Sequence, residues 1–341
     1  MKEKNDNELT TVKTKQRDCA LDNYRGFVIL LLIFFFSFNA LDFTPAVFTH
    51  ASDGGILAFA DFITAGFMLA LVLAFAIGME KFVGTGDYKG AIKKYSTRFL
   101  ALIGVGMLFV AVSNLAGGDT GFHYNVFTAF GISGLLSLFF IRFGKYTKLI
   151  AGCILIITYQ CLLLVPEVLD YILANDEGGL IGGFGWCGFM LIAIFLAQLY
   201  RSNSKQFTRW IFALLSFAMV LATADMIMKS TGNVFDPLMA SAHRVSLSYI
   251  FITLGVQAFI FWLFAKFAGN KPIPVLTWYG RNSLVLYFVS AGLGNIAPRL
   301  CNTFVTETNI WYVMPLSFII CFILATAVAY TLHRFKVVIT V

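Results

Sequence analysis

Three polar residues near the start of the chain have types and spacing that could do chemistry: Asn39, His50 and Asp61. Asn39 closes a long apolar run, His50 follows eleven residues later, and Asp61 lies another eleven residues on, inside the next run. A titratable ring and a carboxylate beside such runs are costly to keep without a use. Because imidazole titrates near neutrality, His50 could move a proton to and from an amine or hydroxyl, or attack a thioester itself.

Each of these residues also has a purely structural interpretation. Asp61 could pair with His50, holding one tautomer of the ring and stabilising the imidazolium, or it could be an acid at a helix start. Asn39 could donate a hydrogen bond to a developing oxyanion or simply end its helix. His50 could be an interfacial residue that is hydrogen-bonded to lipid headgroups or to a backbone carbonyl. The residue types and spacing leave these alternatives open.

Basic residues at the ends of other apolar runs form a second candidate site. Arg25 follows Asp22 by three residues, and the later members of the group are Lys93, Lys94, Arg98 and Arg281. Clustered cations could hold phosphates, but the cytoplasmic ends of membrane helices are rich in Lys and Arg without any ligand. The segment GRNSLVLY adds the polar residues Asn282, Ser283 and Tyr287, of which the last two share one helix face.

The remaining histidines are weaker candidates. His243 with Arg244, predicted on the side opposite to Arg25, could bind an acidic or sugar substrate. His123 is a further candidate, and His333 is typical of an interfacial cap on the last helix.

The elements that must position these residues are transmembrane helices. Hydrophobic residues make up 59% of the 341 residues and charged residues only 13%, whereas a soluble domain carries about 25% charge. We therefore predict an all-α integral membrane protein, a single polytopic bundle of about ten transmembrane helices. The predicted spans are 24–41, 56–79, 97–115, 123–141, 148–165, 184–200, 208–227, 243–265, 275–293 and 310–332.

The distribution of Lys and Arg predicts the orientation. With the N-terminus inside, 22 of the 25 Lys and Arg residues fall in cytoplasmic segments, so both termini are predicted to be cytoplasmic. The net charge of +7 then reflects topology and contact with membrane lipids, with no indication of nucleic-acid binding. Residues 1–20 are expected to be a disordered cytoplasmic tail, and 21–341 a single transmembrane domain.

Other chemistries find no support in the sequence. The six cysteines are scattered and none forms a CxxC, so we expect no metal site. Motifs for ATP-driven, metalloprotease and dinucleotide chemistry do not occur.

The first hairpin resembles a known family. The stretch LDNYRGFVILLLIFFFSFN, followed by FTHAS and ADF, is similar to the heparan-α-glucosaminide N-acetyltransferase family of transmembrane acetyltransferases. The matching positions are Asp22, Arg25, Gly26, Asn39, His50, Ala60 and Asp61. Two later segments, residues 236–255 and GRNSLVLY, are also similar to the family, and residues 176–183 echo its Asp-x-Glu-Gly-Leu stretch. Asp53 departs from the pattern, because it stands where the family has an aromatic residue.

The resemblance implies an acetyltransferase in the cell membrane. Acetyl-CoA would bind from the cytoplasm with its phosphates against the Arg and Lys helix ends, and the acetyl group would pass to a glycan or amino-sugar acceptor outside. It implies His50 as base or transient acyl carrier, Asn39 as its polar partner and Asp61 as its orienter. It also allows a homodimer. A transporter or flippase, or a catalytically inactive relative, remains the alternative.

Overall fold

The computed structural model describes residues 18–51, 55–115, 124–232, 239–269 and 271–338. Residues 1–17 of the predicted tail, together with Asp53 and His123, lie outside the described residues. The first helix begins at Cys19, within the stretch predicted as tail, because the Asp18 side chain caps it by accepting a hydrogen bond from the Leu21 amide at 3.1 Å.

The described residues form α-helices and no strand, which confirms the all-α fold class. The α-helices are α1 (Cys19–Asn39), α2 (Asp61–Thr85), α3 (Tyr88–Leu115), α4 (Val126–Ser137), α5 (Lys145–Leu162), α6 (Pro166–Leu173), α7 (Gly179–Ser202), α8 (Ser204–Thr231), α9 (Leu247–Leu263), α10 (Pro274–Arg281), α11 (Ser283–Cys301) and α12 (Ile310–Arg334).

Seven of these helices are long and apolar enough to cross a membrane, or eight if the bent pair α5 and α6 counts as one span. The two helices of that pair meet at an angle of 101°. The stretch Val126–Phe140 and the first part of α11 are apolar but shorter. Each predicted span therefore overlaps a helix, while the count of ten stays a prediction.

The bundle is built around α7. In the apolar window of this helix 83% of the residues are buried, compared with 17% in α8, 22% in α3 and 28% in α12. A helix that is apolar all round belongs either in a protein interior or in lipid. α7 packs among α5, α4 and α2, whereas the peripheral helices present large apolar side chains outwards, as a lipid-facing surface requires.

One predicted span was wrong. The ninth span, 275–293, is not one helix, because the chain breaks at Asn282 between α10 and α11. The break at Asn282 has a consequence for the site, since it turns Ser283 towards α1.

Candidate active site

His50 and Asp61 meet beyond the end of α1, at the buried start of α2. The His50 Nδ1 lies 3.0 Å from Asp61 Oδ1. The other carboxylate oxygen, Oδ2, accepts hydrogen bonds from the Ala58 amide at 2.8 Å and the Ala51 amide at 3.4 Å. Because an ionised carboxylate only accepts hydrogen bonds, Nδ1 carries the proton and Nε2 keeps its lone pair. Asp61 therefore both pairs with His50 and begins a helix, so the two interpretations of this position do not exclude each other.

The surroundings of the pair are asymmetric. The Asp61 side chain is fully buried, whereas the His50 side chain is 51% exposed. The Tyr249 hydroxyl of α9 donates to the Asp61 carbonyl at 2.8 Å, which ties the start of α2 to another helix. The His50 ring lies edge-on against Phe35 of α1, with ring centroids 5.2 Å apart. The buried Asp61 carboxylate, which accepts several hydrogen bonds, therefore orients the His50 ring, and the other side of that ring is exposed.

Nearby carboxylates make His50 more basic. Burial by itself would lower the pKa of the ring, but the hydrogen bond and charge of Asp61, with the charges of Glu177 and Asp176, raise that pKa above its ordinary value of 6.5. The raised pKa makes the neutral ring a stronger base towards the proton of an amine or hydroxyl.

A buried lysine clamps the loop that carries His50. Lys229 Nζ of α8 donates to Asp225 Oδ2 at 2.8 Å, to the Gly55 carbonyl at 2.6 Å and to the Ala240 carbonyl at 3.0 Å. Asp225 Oδ1 in turn accepts from the Ala240 amide at 2.8 Å. All three ammonium donors are used, so α8 holds the loop before α2 beside the loop before α9. Lys229 is not among the candidate residues that the sequence predicts.

Glu177 is a site residue that sequence reasoning missed. It precedes α7, is partly buried, and its side chain interacts electrostatically with Thr64 of α2. Its charge acts on both His50 and Asp61. Its backbone is left-handed, with φ 55° and ψ 25°, a conformation that costs energy in a non-glycine residue and often marks functional sites. The available signal was an acidic pair directly before glycines at the head of an apolar run.

Asn39 is the last residue of α1 and is exposed. Phe35, which the His50 ring contacts, lies four residues earlier and therefore on the same helix face. Asn39 therefore lies about one turn beyond Phe35 along α1. No hydrogen bond joins Asn39 to His50 within the described part of the chain, so its predicted role stays a prediction.

At the opposite end of α1, Arg25 contacts the start of α11. The Arg25 Nη2 donates to the Ser283 hydroxyl at 2.8 Å. Two close approaches allow this contact: a Cβ on Gly26 would lie 1.9 Å from the Leu276 carbonyl oxygen, and one on Gly280 would lie 2.0 Å from the Asp22 carbonyl oxygen. The segments DNYRG and GRNS, more than 250 residues apart in sequence, therefore interlock backbone against backbone.

Asn23 fixes the same junction. Its side-chain amide donates to the Lys271 carbonyl at 3.0 Å, and its oxygen accepts from the Ile273 amide and the Thr277 hydroxyl, both at 3.0 Å. The side chain is fully buried. These bonds satisfy it and hold α10 against the start of α1.

A cavity of about 210 Å³ begins at this junction. Arg25, Arg98 and Ser283 line it together with apolar side chains of α2, α3 and α4, and Tyr287. The Tyr287 ring contacts Phe36 and Phe67, with centroids 6.0 Å and 5.7 Å apart. His50 is not among the lining residues, but the charge of Glu177 acts on Tyr287. Tyr287 therefore lines the cavity and lies within electrostatic range of Glu177.

The structure places the other predicted binding residues elsewhere. Asp22 is buried at the start of α1, and Lys94 of α3 lies over the rings of Phe82 on α2 and Tyr95 on α3. Arg281 and Asn282 line a different cavity. His243 is exposed, and Arg244 is held through its carbonyl, which accepts from the Tyr159 hydroxyl at 2.7 Å.

Fold and site together define a multi-pass helical membrane protein that keeps a histidine–carboxylate pair at one end and a cation-lined cavity towards the other. The sequence model described as heparan-alpha-glucosaminide N-acetyltransferase, catalytic, matches residues 17–225, which is more than half of the chain. The chain belongs to this family, and the resemblance seen in the sequence is confirmed. A comparison with curated proteins finds no match.

Membership makes the protein a transferase of the membrane, and the family is one of acetyltransferases that use acetyl-CoA and a sugar acceptor. No group of three or more metal-ligating side chains occurs among the residues that the structure describes. The matched segment includes His50, Asp61, Arg25 and Arg98 and ends before α9 to α12.

Proposed function

We propose that the protein transfers an acetyl group from acetyl-CoA to a sugar or glycan acceptor on the opposite side of the membrane. The observation that carries the proposal is the His50–Asp61 pair, 3.0 Å apart, lying beyond the end of α1 opposite to the Arg25–Ser283 contact. A donor can then be held by cations at one end while the acetyl group is received at the other.

The cavity beside Arg25 is the proposed donor site. Arg25 and Arg98 are guanidinium groups that can hold the phosphates of coenzyme A at its mouth. The apolar walls, including Leu71 and Phe99, suit the pantetheine arm. Tyr287 lines this cavity, and its ring is the proposed boundary between donor and acceptor.

His50 is the proposed base or transient acyl carrier. As a base, Nε2 accepts the proton of the acceptor amine or hydroxyl while the acceptor attacks the thioester carbonyl, and the C–S bond breaks. As a carrier, Nε2 attacks first and the thiolate leaves. The acceptor then attacks the acetylated ring, and its proton protonates the thiolate. In both routes Asp61 stabilises the positive ring, and Asn39 is the proposed oxyanion donor.

The finer topology belongs to the same proposal. We infer ten spans, with both termini cytoplasmic and residues 21–341 forming one domain in the cell membrane, because the basic ends of α1, α10 and α12 share one end of the bundle. A homodimer is compatible with the exposed apolar faces of α8 and α12. His243 and Arg244 are proposed acceptor contacts, since Lys229 holds their loop beside the loop of His50.

The test uses purified full-length protein in lipid nanodiscs with radiolabelled acetyl-CoA and a panel of amino sugars and glycan oligosaccharides. We expect label transfer and coenzyme A release with wild type, and a loss of about 10²- to 10⁴-fold in His50→Ala. The neighbouring Thr49→Ala, whose hydroxyl only bonds the Ala46 carbonyl, is the matched control. Equal activity of His50→Ala and wild type would reject the proposal, and acceptor flux across proteoliposomes in that variant would indicate transport instead.

A further inference from the structure

A second cavity, of about 450 Å³, opens where the C-terminal ends of α10 and α12 meet. Its lining includes Arg281 and Asn282 at the break before α11, and His333, Arg334 and Lys336 at the end of α12. It is separated from the proposed donor cavity by the α10–α11 break, since Ser283 faces one cavity and Arg281 the other. It also lies outside residues 17–225, the segment that the family's sequence model matches.

The charges around this cavity are uncompensated. Arg281, Arg334 and Lys336 form no side-chain hydrogen bond or ion pair with any residue that the structure describes. None of the described lining residues is acidic. Three cations facing one space repel each other, so the arrangement favours an anion between them.

The Arg281 side chain gives the strongest indication that an anion binds in this cavity. Its Nε is buried and has no hydrogen-bond partner in the described chain. The preference for cations at cytoplasmic helix ends explains why basic residues occur here. It does not explain a guanidinium N–H that is withdrawn from solvent and left without an acceptor, because that arrangement is costly unless a ligand supplies one.

The walls of the cavity are held in place. Asn282 Nδ2 donates to the Val337 carbonyl at 3.1 Å, which ties the segment after α12 to the α10–α11 break. The Trp278 ring stacks on His333, with centroids 5.4 Å apart and an angle of 24° between the planes. The three cations are therefore presented by elements that contact each other, which lowers the cost of ordering them around a ligand.

We propose that this cavity binds a phosphate group, with Arg281 as the interior ligand and Arg334 and Lys336 at the rim. A guanidinium matches two phosphate oxygens at once, and the ammonium adds a point charge. Two sources supply such a phosphate: the nucleotide end of coenzyme A and the headgroup of an anionic phospholipid. The coenzyme A source rests on the proposed function, whereas the headgroup source is independent of it.

The experiment uses full-length protein in nanodiscs and has two arms. In phosphatidylcholine nanodiscs, the affinity for coenzyme A and for dephospho-coenzyme A is measured by titration. In nanodiscs that also contain phosphatidylglycerol, the lipid retained by the protein is measured by native mass spectrometry. The variants are Arg281→Gln and the rim pair Arg334→Gln with Lys336→Gln. The matched control is Lys205→Gln with Arg209→Gln, two exposed cations of α8.

We expect both variants to lose about tenfold in affinity or retention in at least one arm, and the control to match wild type. Loss in the coenzyme A arm identifies the nucleotide phosphate, and loss in the lipid arm identifies the headgroup. If Arg281→Gln does not fold, the test is decided by the variant of the two exposed rim residues, Arg334→Gln with Lys336→Gln. Unchanged binding in both arms by folded variants would overturn the proposal. Absence of acetyl transfer with phosphate binding intact would count against the proposed function alone.

Discussion

The His50 Nδ1 lies 3.0 Å from Asp61 Oδ1, although the ring is half exposed and the carboxylate is fully buried. The two residues are eleven apart in sequence and belong to a loop and to the start of α2. Two backbone amides hold the carboxylate from the other side. The buried Asp61 carboxylate therefore fixes the exposed His50 ring, and the ring nitrogen Nε2 is left for a reacting group.

We expect Asp61→Asn to lower kcat by at least about tenfold, and less than His50→Ala does, because the amide no longer stabilises the positive ring. The measurement is steady-state acetyl transfer, with circular dichroism to show that the variant is folded. If folded Asp61→Asn kept the wild-type kcat, the proposed orienting role would be wrong.

The activity should depend on pH through His50. Its pKa lies above 6.5, and the neutral ring is the active form, so kcat/KM should rise as pH increases through that higher value. Since Asp61 raises the pKa and burial opposes it, Asp61→Asn should move the rise to lower pH. A pH profile of kcat/KM for both proteins checks this, and coincident profiles would contradict it.

The raised pKa of His50 also determines how the stability of the folded protein changes with pH. The folded protein holds the protonated ring more tightly than the unfolded chain does, because the folded pKa is raised. This stabilisation is complete below the unfolded pKa of about 6.5 and is lost as pH rises through the folded pKa.

Glu177 should contribute to catalysis through His50. We expect Glu177→Gln to lower kcat/KM by about tenfold, because the charge of Glu177 supports the positive ring of His50. Asp176→Asn is the matched control, since Asp176 is exposed and has the smaller effect on His50. Equal losses in the two variants would show that general charge, and not the position of Glu177, is responsible.

Lys229 should be needed for stability and for the position of the His50 loop. We expect Lys229→Met to cost about 3–5 kcal/mol, because it leaves the buried Asp225 carboxylate without its cation. The exposed pair Arg201–Glu80 provides the control, and Arg201→Gln should cost at most about 1 kcal/mol. Unfolding in detergent followed by fluorescence measures both, and similar losses would contradict the clamp.

Gly26→Ala should disturb the donor cavity. A Cβ at position 26 meets backbone that cannot move alone, so α10 must shift and the Arg25–Ser283 contact must lengthen. We expect the KM for acetyl-CoA to rise by about tenfold or more. Gly104→Ala is the control, because its Cβ would meet nothing within 4 Å, and alanine favours the helix. A normal KM in Gly26→Ala would reject this account of the motif.

Much of the fold could be predicted from the sequence because it depends on local properties. Each apolar run must form a helix, since backbone groups in lipid have to bond within the segment. The break at Asn282 escaped prediction, although the polar segment GRNS lies inside the predicted span 275–293. It is produced by contacts of its neighbours, Gly280 with Asp22 and Ser283 with Arg25.

The sequence by itself determined the membrane class, the all-helical fold and the His50, Asp61 and Arg25 candidates, because residue type and spacing carry that information. Only the tertiary structure decided which cations share a cavity, with Arg98 beside Arg25 and Arg281 apart from both. Only the tertiary structure also shows that Glu177 and Lys229 lie close to the loop that carries His50. These relationships depend on how each helix is rotated against distant ones, and packing between helices sets that rotation.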